Sequence, residues 1–241
     1  MAVFTSSWDD GHPLDLRIAE LLDKYGLTAT FYVPITNREG MSVMSASECR
    51  QISARHEIGS HTRDHCYLNT VDLHEAESQI INGKSELEDL LGSGVEGFCY
   101  PGGKWSQSIE NLVKNAGFSY ARGTDNFYLS SSDNRYLLPT TIQFYPHDFS
   151  VYLRNFLSRG HWSARHRAFF LAIAERSFVG RLIAIFDFAL STKAVFHLWG
   201  HSWEIEEINA WKELEIFLEY VSSRIISTDA LTNAKLVKQF Y

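Results

Sequence analysis

The chain has 241 residues, 45% of them hydrophobic, enough to bury the core of one large α/β domain. Its 22 basic and 29 acidic residues give a net charge of −7 with histidine neutral, which argues against nucleic acid as a partner. Three irregularly spaced cysteines, Cys49, Cys66 and Cys99, form neither a disulfide framework nor a zinc knuckle and suit a reducing compartment.

The opening stretch MAVFTSSWDDG lacks the basic segment and apolar run of a secretory signal, and its first residues read as a core strand, so the expected location is the cytoplasm. No uninterrupted apolar run approaches a membrane span, because Glu175, Arg176 and Arg181 break up the most hydrophobic region, 168–190. Around it Arg154, Arg159, Arg165, Arg167, Arg176 and Arg181 are interleaved with Phe, Leu and Ile. That pattern describes either an amphipathic surface in peripheral contact with lipid or a helical pair packed on the outside of a barrel with solvated arginines.

In chain order, residues 3–7 read as a short strand, and after the Asp9-Asp10-Gly11 turn Pro13 opens a helix through Tyr25 with Leu14, Ile18, Leu21 and Leu22 on one stripe. Residues 28–33, rich in β-branched and aromatic side chains and ending at Pro34, are the second strand. Ser45 or Ser47 caps a short helix to about Ala54, and 57–60 is the third strand. Residues 72–91 are a helix stopped by Gly92 and Gly94, followed by strand 97–100, the Pro101-Gly102-Gly103 turn, a helix over 109–116 begun by Ser106 or Ser108, and strand 118–122. An irregular stretch, 123–136, precedes a sixth strand at 136–144 that Pro139 interrupts. Residues 150–190 are helical, 194–198 form a last strand, and 209–224 form a helix with Trp211, Leu214, Phe217, Leu218 and Val221 at core spacing. Ile225 and Ile226 read as a short strand, and Thr228 as the cap of a final helix.

This alternation describes helices wrapped around a mostly parallel sheet, either open or closed as a barrel. The barrel is favoured because Asp9 and Asp10, His61, Pro101 with its glycines, Arg122 and His201 each fall just past the carboxyl end of a predicted strand, the face that hosts chemistry in such folds.

Residues 57–65, EIGSHTRDH, set His61 and His65 four apart directly after a strand. In a helical turn those imidazoles share one face and can point at one cation. Asp10 supplies an anionic third ligand, and three protein ligands with open positions are the composition of a catalytic metal site. Asp9 beside it is then the proton acceptor, His201 at another strand end the donor to a leaving group, and the Gly102 amide a donor to a negative oxygen. Such a set hydrolyses an amide or an ester. Each member alone has a plainer reading: Asp-Asp-Gly as a solvated turn, HxxxH as two helix-surface histidines, Cys66 and Cys99 as small buried side chains. A mononuclear iron oxygenase also uses two histidines and a carboxylate, but the second aspartate and the separate histidine fit hydrolysis better.

The segments DDG at 9–11, HEIGSHTRDH at 56–65, YPGG at 100–103 and LWGHSWE at 198–204 resemble the successive motifs of the polysaccharide deacetylases, carbohydrate esterase family 4. The resemblance implies an α/β fold, a single-domain, irregular, partly open (β/α) barrel of about seven strands over residues 1–241, with a mainly helical insertion at about 145–192. It implies Zn2+, or another divalent ion such as Co2+, Ni2+ or Fe2+, and removal of an N- or O-linked acetyl group from a sugar. Asp9 takes the role of base, Asp10, His61 and His65 of ligands, and His201 of acid. Two departures stand out. The family pattern places an arginine two residues before the motif proline, where this chain has Cys99, and Arg122 is expected to take its place against Asp9. GHSW replaces a shorter Leu-x-His pattern, leaving His197 as a rival acid; His201 is favoured because residue 197 lies deeper in the strand. Tyr100, Gly102, Trp199 and Trp203 are assigned to substrate, the two indoles as an aromatic face for a sugar ring or acetyl methyl. The expected partner is an acetylated sugar, free or linked to lipid or nucleotide. The alternatives are an amide hydrolase on a small non-sugar metabolite and a non-catalytic glycan-binding relative. Loops 36–45, 125–135 and 144–163 are expected to choose the substrate.

Overall fold

Alternating side chains along the first strand set the architecture. In β1 (Val3–Trp8), Phe4 and Trp8 are fully buried in the main apolar core, while Thr5 and Ser7 point to the other face and find polar partners in Asn233 and His197. A computed structural model describes residues 2–130, 133–158 and 160–241; Met1, Ser131, Ser132 and Arg159 lie outside it.

Among the described residues all the strand pairings are parallel. From one edge the sheet runs β5 (Tyr120–Arg122), β4 (Gly97–Cys99), β3 (Glu57–Ser60), β2 (Thr30–Val33), β1, β7 (Val195–Gly200) and β6 (Ile142–Gln143). A short β8 (Ala230–Leu231) pairs with the first half of β1 at Phe4 and Thr5, and β2 pairs with its second half at Ser7 and Trp8. The sheet is a curled half-barrel. One isolated bridge, Arg122 to Leu138, ties β5 to the stretch leading into β6, and Pro139, which has no amide to donate, interrupts that stretch so that only two residues of the predicted sixth strand join the ladder.

Local signals place most helices. Ser45 and Glu48 form a complete capping box on α2 (Ala46–Ser53), Asp72 caps α3 (Leu73–Leu91) and left-handed Gly92 ends it, and Ser106 caps α4 (Gln107–Asn115). The helix predicted from Pro13 begins later, as α1 (Asp15–Lys24), with Ile18 and Leu22 fully buried. Between β6 and β7 the helical segment resolves into α5 (Phe149–Ser158), α6 (Trp162–Ala174) and α7 (Phe178–Thr192). After β7 come α8 (Ser202–Glu207) and α9 (Trp211–Ser222), the latter burying the five predicted core residues. Phe4, Phe186, Phe196 and Phe217 join β1, α7, β7 and α9 in one aromatic cluster; truncating any of these to alanine costs about 3–5 kcal/mol.

The end of the chain differs from the prediction. Ile226 is exposed and no strand forms at 225–226; Ala230 and Leu231 pair with β1 instead, and Thr232 rather than Thr228 caps α10 (Asn233–Phe240) by accepting from the Lys235 amide. Asn233 then reaches Tyr32 and Thr5, so the start of α10 covers the concave side of the sheet. Among the described residues no helix is long and apolar enough to cross a membrane.

Candidate metal centre

Strand register assembles the site. β1 and β7 pair with Trp8 opposite Gly200, so Asp9-Asp10 and His201 leave the sheet side by side, and the Asp9 amide donates to the Gly200 carbonyl at 3.0 Å. β3 pairs with β4 at Ser60 and Phe98, which puts His61 beside Cys99, and β4 pairs with β5 at Cys99 and Arg122. Asp10 adopts a left-handed φ of 74° followed by Gly11 at 60°, where a Cβ would lie 2.7 Å from Val33 Cγ1, so glycine is needed to complete the turn.

Asp10 Oδ1 lies 3.1 Å from His65 Nε2 and 3.5 Å from His61 Nε2. The ligand atoms of all three residues lie within 4.8 Å of one another, and all three residues are buried. His61 Nδ1 sits 2.9 Å from the Cys99 carbonyl; a carbonyl only accepts, so Nδ1 carries the proton and Nε2 offers its lone pair to a cation. Burial opposes the charge on Asp10, but the close imidazoles of His61 and His65 and the nearby His201 hold its carboxyl well below the usual range. Two imidazole nitrogens and one ionised carboxylate oxygen converging in a buried cleft fit a divalent metal.

The two histidines do not reach this arrangement through a helical turn. Residues 61–67 are irregular, with Thr62 at φ 66° and His65 at φ 60°, so the predicted i,i+4 helical face is replaced by a tight turn. The turn is held from both sides. Amides of Ile35, Thr36 and Arg38 donate to the carbonyls of Arg63 and Asp64, and α3 comes so close that a Cβ on Gly83 would lie 2.6 Å from the Thr62 carbonyl carbon. Loop 36–45 thereby delivers Glu39, whose Oε2 is 3.4 Å from His65 Nδ1.

Asp9 points elsewhere. Its Oδ1 accepts from Arg122 Nη2, its Oδ2 lies 3.8 Å from Cys99 Sγ, and the residue is 3% exposed. Arg122 is fully buried, 5.2 Å from the ring centroid of Tyr32 and 5.3 Å from that of Trp199; burial works against its charge, but Asp9 outweighs it and raises the pKa. The contact expected to compensate for the missing arginine at position 99 is thus present.

The two candidate acids have opposite environments. His197 is buried in the wall, its Nδ1 3.1 Å from the Pro139 carbonyl and its Nε2 2.8 Å from Ser7 Oγ, and burial with the nearby Arg122 charge pushes its pKa down to about 3. His201 borders the cleft, 4.0 Å through Nε2 from Asp10 Oδ2, and its Nδ1 lies 2.6 Å from Glu204 Oε2. Burial would lower its pKa, but the Glu204 hydrogen bond and the Asp10 charge raise it to about 9. Of these two, His201 is the one whose surroundings favour the protonated imidazole.

A cavity of about 300 Å³ sits on this cluster, lined by Asp9, Asp10, Glu39, His61, His65, Tyr67, Gly102, Thr124, Trp199, His201 and Trp203. Gly102, Trp199 and Trp203 are therefore at the cavity as assigned, although the Trp203 indole also donates to Asp10 Oδ2 at 3.0 Å, holding the oxygen turned away from the histidines. Tyr100 is a correction: it is fully buried on the helix side with Phe98, its hydroxyl donating to the Tyr136 carbonyl, and it does not line the cavity. Sequence reasoning missed Glu39, Tyr67 and Thr124. Tyr67 follows His65 by two residues, a proximity that was readable; the other two carry no local signal.

A parallel half-barrel with a buried Asp-His-His cluster at the carboxyl ends of its strands defines a hydrolase-like α/β scaffold. Residues 2–121 match the family model described as polysaccharide deacetylase, and the chain belongs to that family. The search of curated proteins finds no match. Among solved structures, a protein from Mycobacterium smegmatis described as a polysaccharide deacetylase is 14% identical with a TM-score of 0.67, over 99% of this chain and 90% of that one. The family 4 acetyl xylan esterase from Clostridium thermocellum, in complex with a cobalt ion, is 17% identical with a TM-score of 0.60, over 98% and 90%. A Streptococcus pyogenes deacetylase in complex with acetate is 16% identical with a TM-score of 0.52; the alignment covers 56% of this chain and spans 62% of that protein. At such identities the likeness carries the fold, that of carbohydrate esterase family 4.

Proposed function

We propose that the chain is a metal-dependent hydrolase that removes an N- or O-linked acetyl group from a sugar or glycan precursor. One observation carries this reading: beside the Asp10, His61 and His65 group, Asp9 is a second carboxylate, held through Oδ1 by Arg122 and standing within 4.8 Å of a His61 ring nitrogen and the Cys99 thiol. A divalent ion, Zn2+ or alternatively Co2+, Ni2+ or Fe2+, supplies Lewis acidity when bound by Asp10, His61 and His65, polarising the acyl carbonyl and making water more acidic.

Asp9 takes the proton of the water that adds to the acyl carbon, and Arg122 holds its carboxylate at the required angle. The Gly102 amide, at the cavity wall, donates to the carbonyl oxygen as it gains negative charge. Glu204 fixes Nδ1 of His201, leaving Nε2–H to protonate the departing amine or alkoxide as the bond to the acyl carbon breaks. Products are acetate and the free amino or hydroxyl sugar. Trp199 and Trp203 offer aromatic walls to the sugar ring or acetyl methyl, and Glu39 Oε2 stands 3.4 Å behind His65 Nδ1. The three cysteines are free and buried, which suits the cytoplasm, and a lipid- or nucleotide-linked acetyl sugar is the substrate form we favour.

An acetate-release screen over acetylated nucleotide-sugars, lipid-linked sugars and oligosaccharides, with and without added zinc, tests the reading. Zinc-dependent acetate from at least one of these supports it. Turnover confined to small non-sugar amides, or binding of glycans without turnover, overturns it.

A further inference from the structure

The helical segment between β6 and β7 has a charge balance opposite to the rest of the chain. Residues 145–192 carry six arginines, no lysine and three acidic residues, while the other residues carry 16 basic and 26 acidic groups. Two of the arginines are tied to backbone: Arg165 is fully buried and donates to the carbonyls of Asn126, Asn155, Phe156 and Gly160, and the half-buried Arg181 donates to those of Glu175 and His147. Arg154, Arg167 and Arg176 are exposed and make no ion pair among the described residues.

The same segment exposes large apolar side chains. α5 and α6 form a hairpin locked by Arg165 and by the stacked rings of Phe156 and Phe169, 4.3 Å apart. On α5, Phe149, Leu153 and Leu157 follow each other at four-residue spacing, and Phe149 and Leu157 are 56% and 55% exposed. On α6, Trp162, His166 and Phe170 do the same, with Trp162 and Phe170 at 56% and 57%. A water-facing helix surface is normally polar; here each helix exposes two large apolar side chains, Phe149 and Leu157 on α5 and Trp162 and Phe170 on α6, with Arg154 and Arg167 beside them. Aromatic and aliphatic side chains flanked by unpaired guanidinium groups are complementary to an acyl boundary beneath phosphate headgroups. Arg154, with Val151 and Asn155, also lines a cavity of about 220 Å³ that shares Thr124 and Trp199 with the metal cleft, so a surface seated on the hairpin lies next to the catalytic face.

We propose that the outer face of the α5–α6 hairpin docks on an anionic lipid surface, with Phe149, Leu157, Trp162 and Phe170 entering the interface and Arg154 and Arg167 meeting lipid phosphates. This goes beyond the reaction assigned above and does not depend on it.

Co-sedimentation of the full chain with vesicles tests the proposal. Binding to phosphatidylcholine vesicles enriched in phosphatidylglycerol is expected, weaker on phosphatidylcholine alone and weakened by salt. Trp162→Ser/Phe170→Ser should reduce partitioning at least about tenfold, and Arg167→Gln about fivefold on the anionic vesicles only. Ile216→Ser on α9, an exposed apolar site away from the hairpin, should bind like the parent. Circular dichroism confirms that each variant is folded. No vesicle binding by the parent, equal binding to both vesicle types, or binding unchanged in the hairpin variants would overturn the proposal. So would self-association of the parent that the double variant disperses without any vesicle binding, which would assign the face to a second copy of the chain.

Discussion

The Arg122 guanidinium donates to the Asp9 carboxylate although their strands, β5 and β1, are separated in the sheet by β4, β3 and β2. Only strong curling brings them together, and the contact sits where Cys99 leaves room. Arg122→Ala leaves a buried carboxylate without its partner; it should cost about 3 kcal/mol of stability and lower turnover about 100-fold. Because Cys99 and Arg122 pair in register on neighbouring strands, Cys99→Arg added to Arg122→Ala should recover part of both losses. Urea unfolding and acetate release on the two variants check this, and no recovery in the double variant would mean that position 99 cannot present a guanidinium to Asp9.

Removing the metal should abolish turnover and soften the fold around the ligands. With ion at about 100 times its Kd, binding adds about 2.7 kcal/mol, which for a chain of this size raises Tm by about 5–10 °C. Thermal unfolding before and after chelation, and after re-addition of Zn2+, Co2+, Ni2+ or Fe2+, measures it. His61→Ala and His65→Ala should show no metal-dependent rise.

Glu204 acts through His201 rather than on substrate. Glu204→Gln removes the charge that holds Nδ1–H while keeping the side chain's shape, so kcat should fall about tenfold with KM and bound metal unchanged. A matching rise in KM, or loss of metal, would assign Glu204 to binding or folding instead.

Much of this site was legible because its motifs lie at strand ends. The helix starts near Ser45 and Ser106 were legible to within the choice between two serines because capping is local, whereas Asp72, read as the first helical residue, is the cap of α3. Tyr100 was misassigned although strand parity held the answer: Phe98 and Tyr100 face the helices, and Cys99 between them faces Asp9. The turn through Thr62 and His65 was not legible, since neither left-handed residue is glycine and the conformation is imposed by loop 36–45 and by α3 at Gly83. Glu39 and Thr124 arrive by tertiary contact and leave no spacing to read.

His197 makes acid stability testable. Its pKa is about 3 in the folded chain against 6.5 for the free side chain, so the unfolded chain binds this proton first. Its contribution is therefore complete above pH 6.5 and lost as pH falls towards 3, amounting to about 2 kcal/mol by pH 5. Urea unfolding at pH 7 and pH 5 should show that difference in the parent, and His197→Asn, though less stable overall, should lose it. An unchanged pH dependence in His197→Asn would contradict the assignment of a neutral, buried imidazole.

Acetate release by metal-loaded Asp9→Asn, with bound metal quantified in the same sample, tests the central claim most directly. The account predicts turnover reduced by at least about 100-fold with metal content equal to that of the parent, because the base is lost and the ligands are intact. Turnover at the parent's rate, or metal lost together with activity, would contradict the separation of base from ligands on which the mechanism depends.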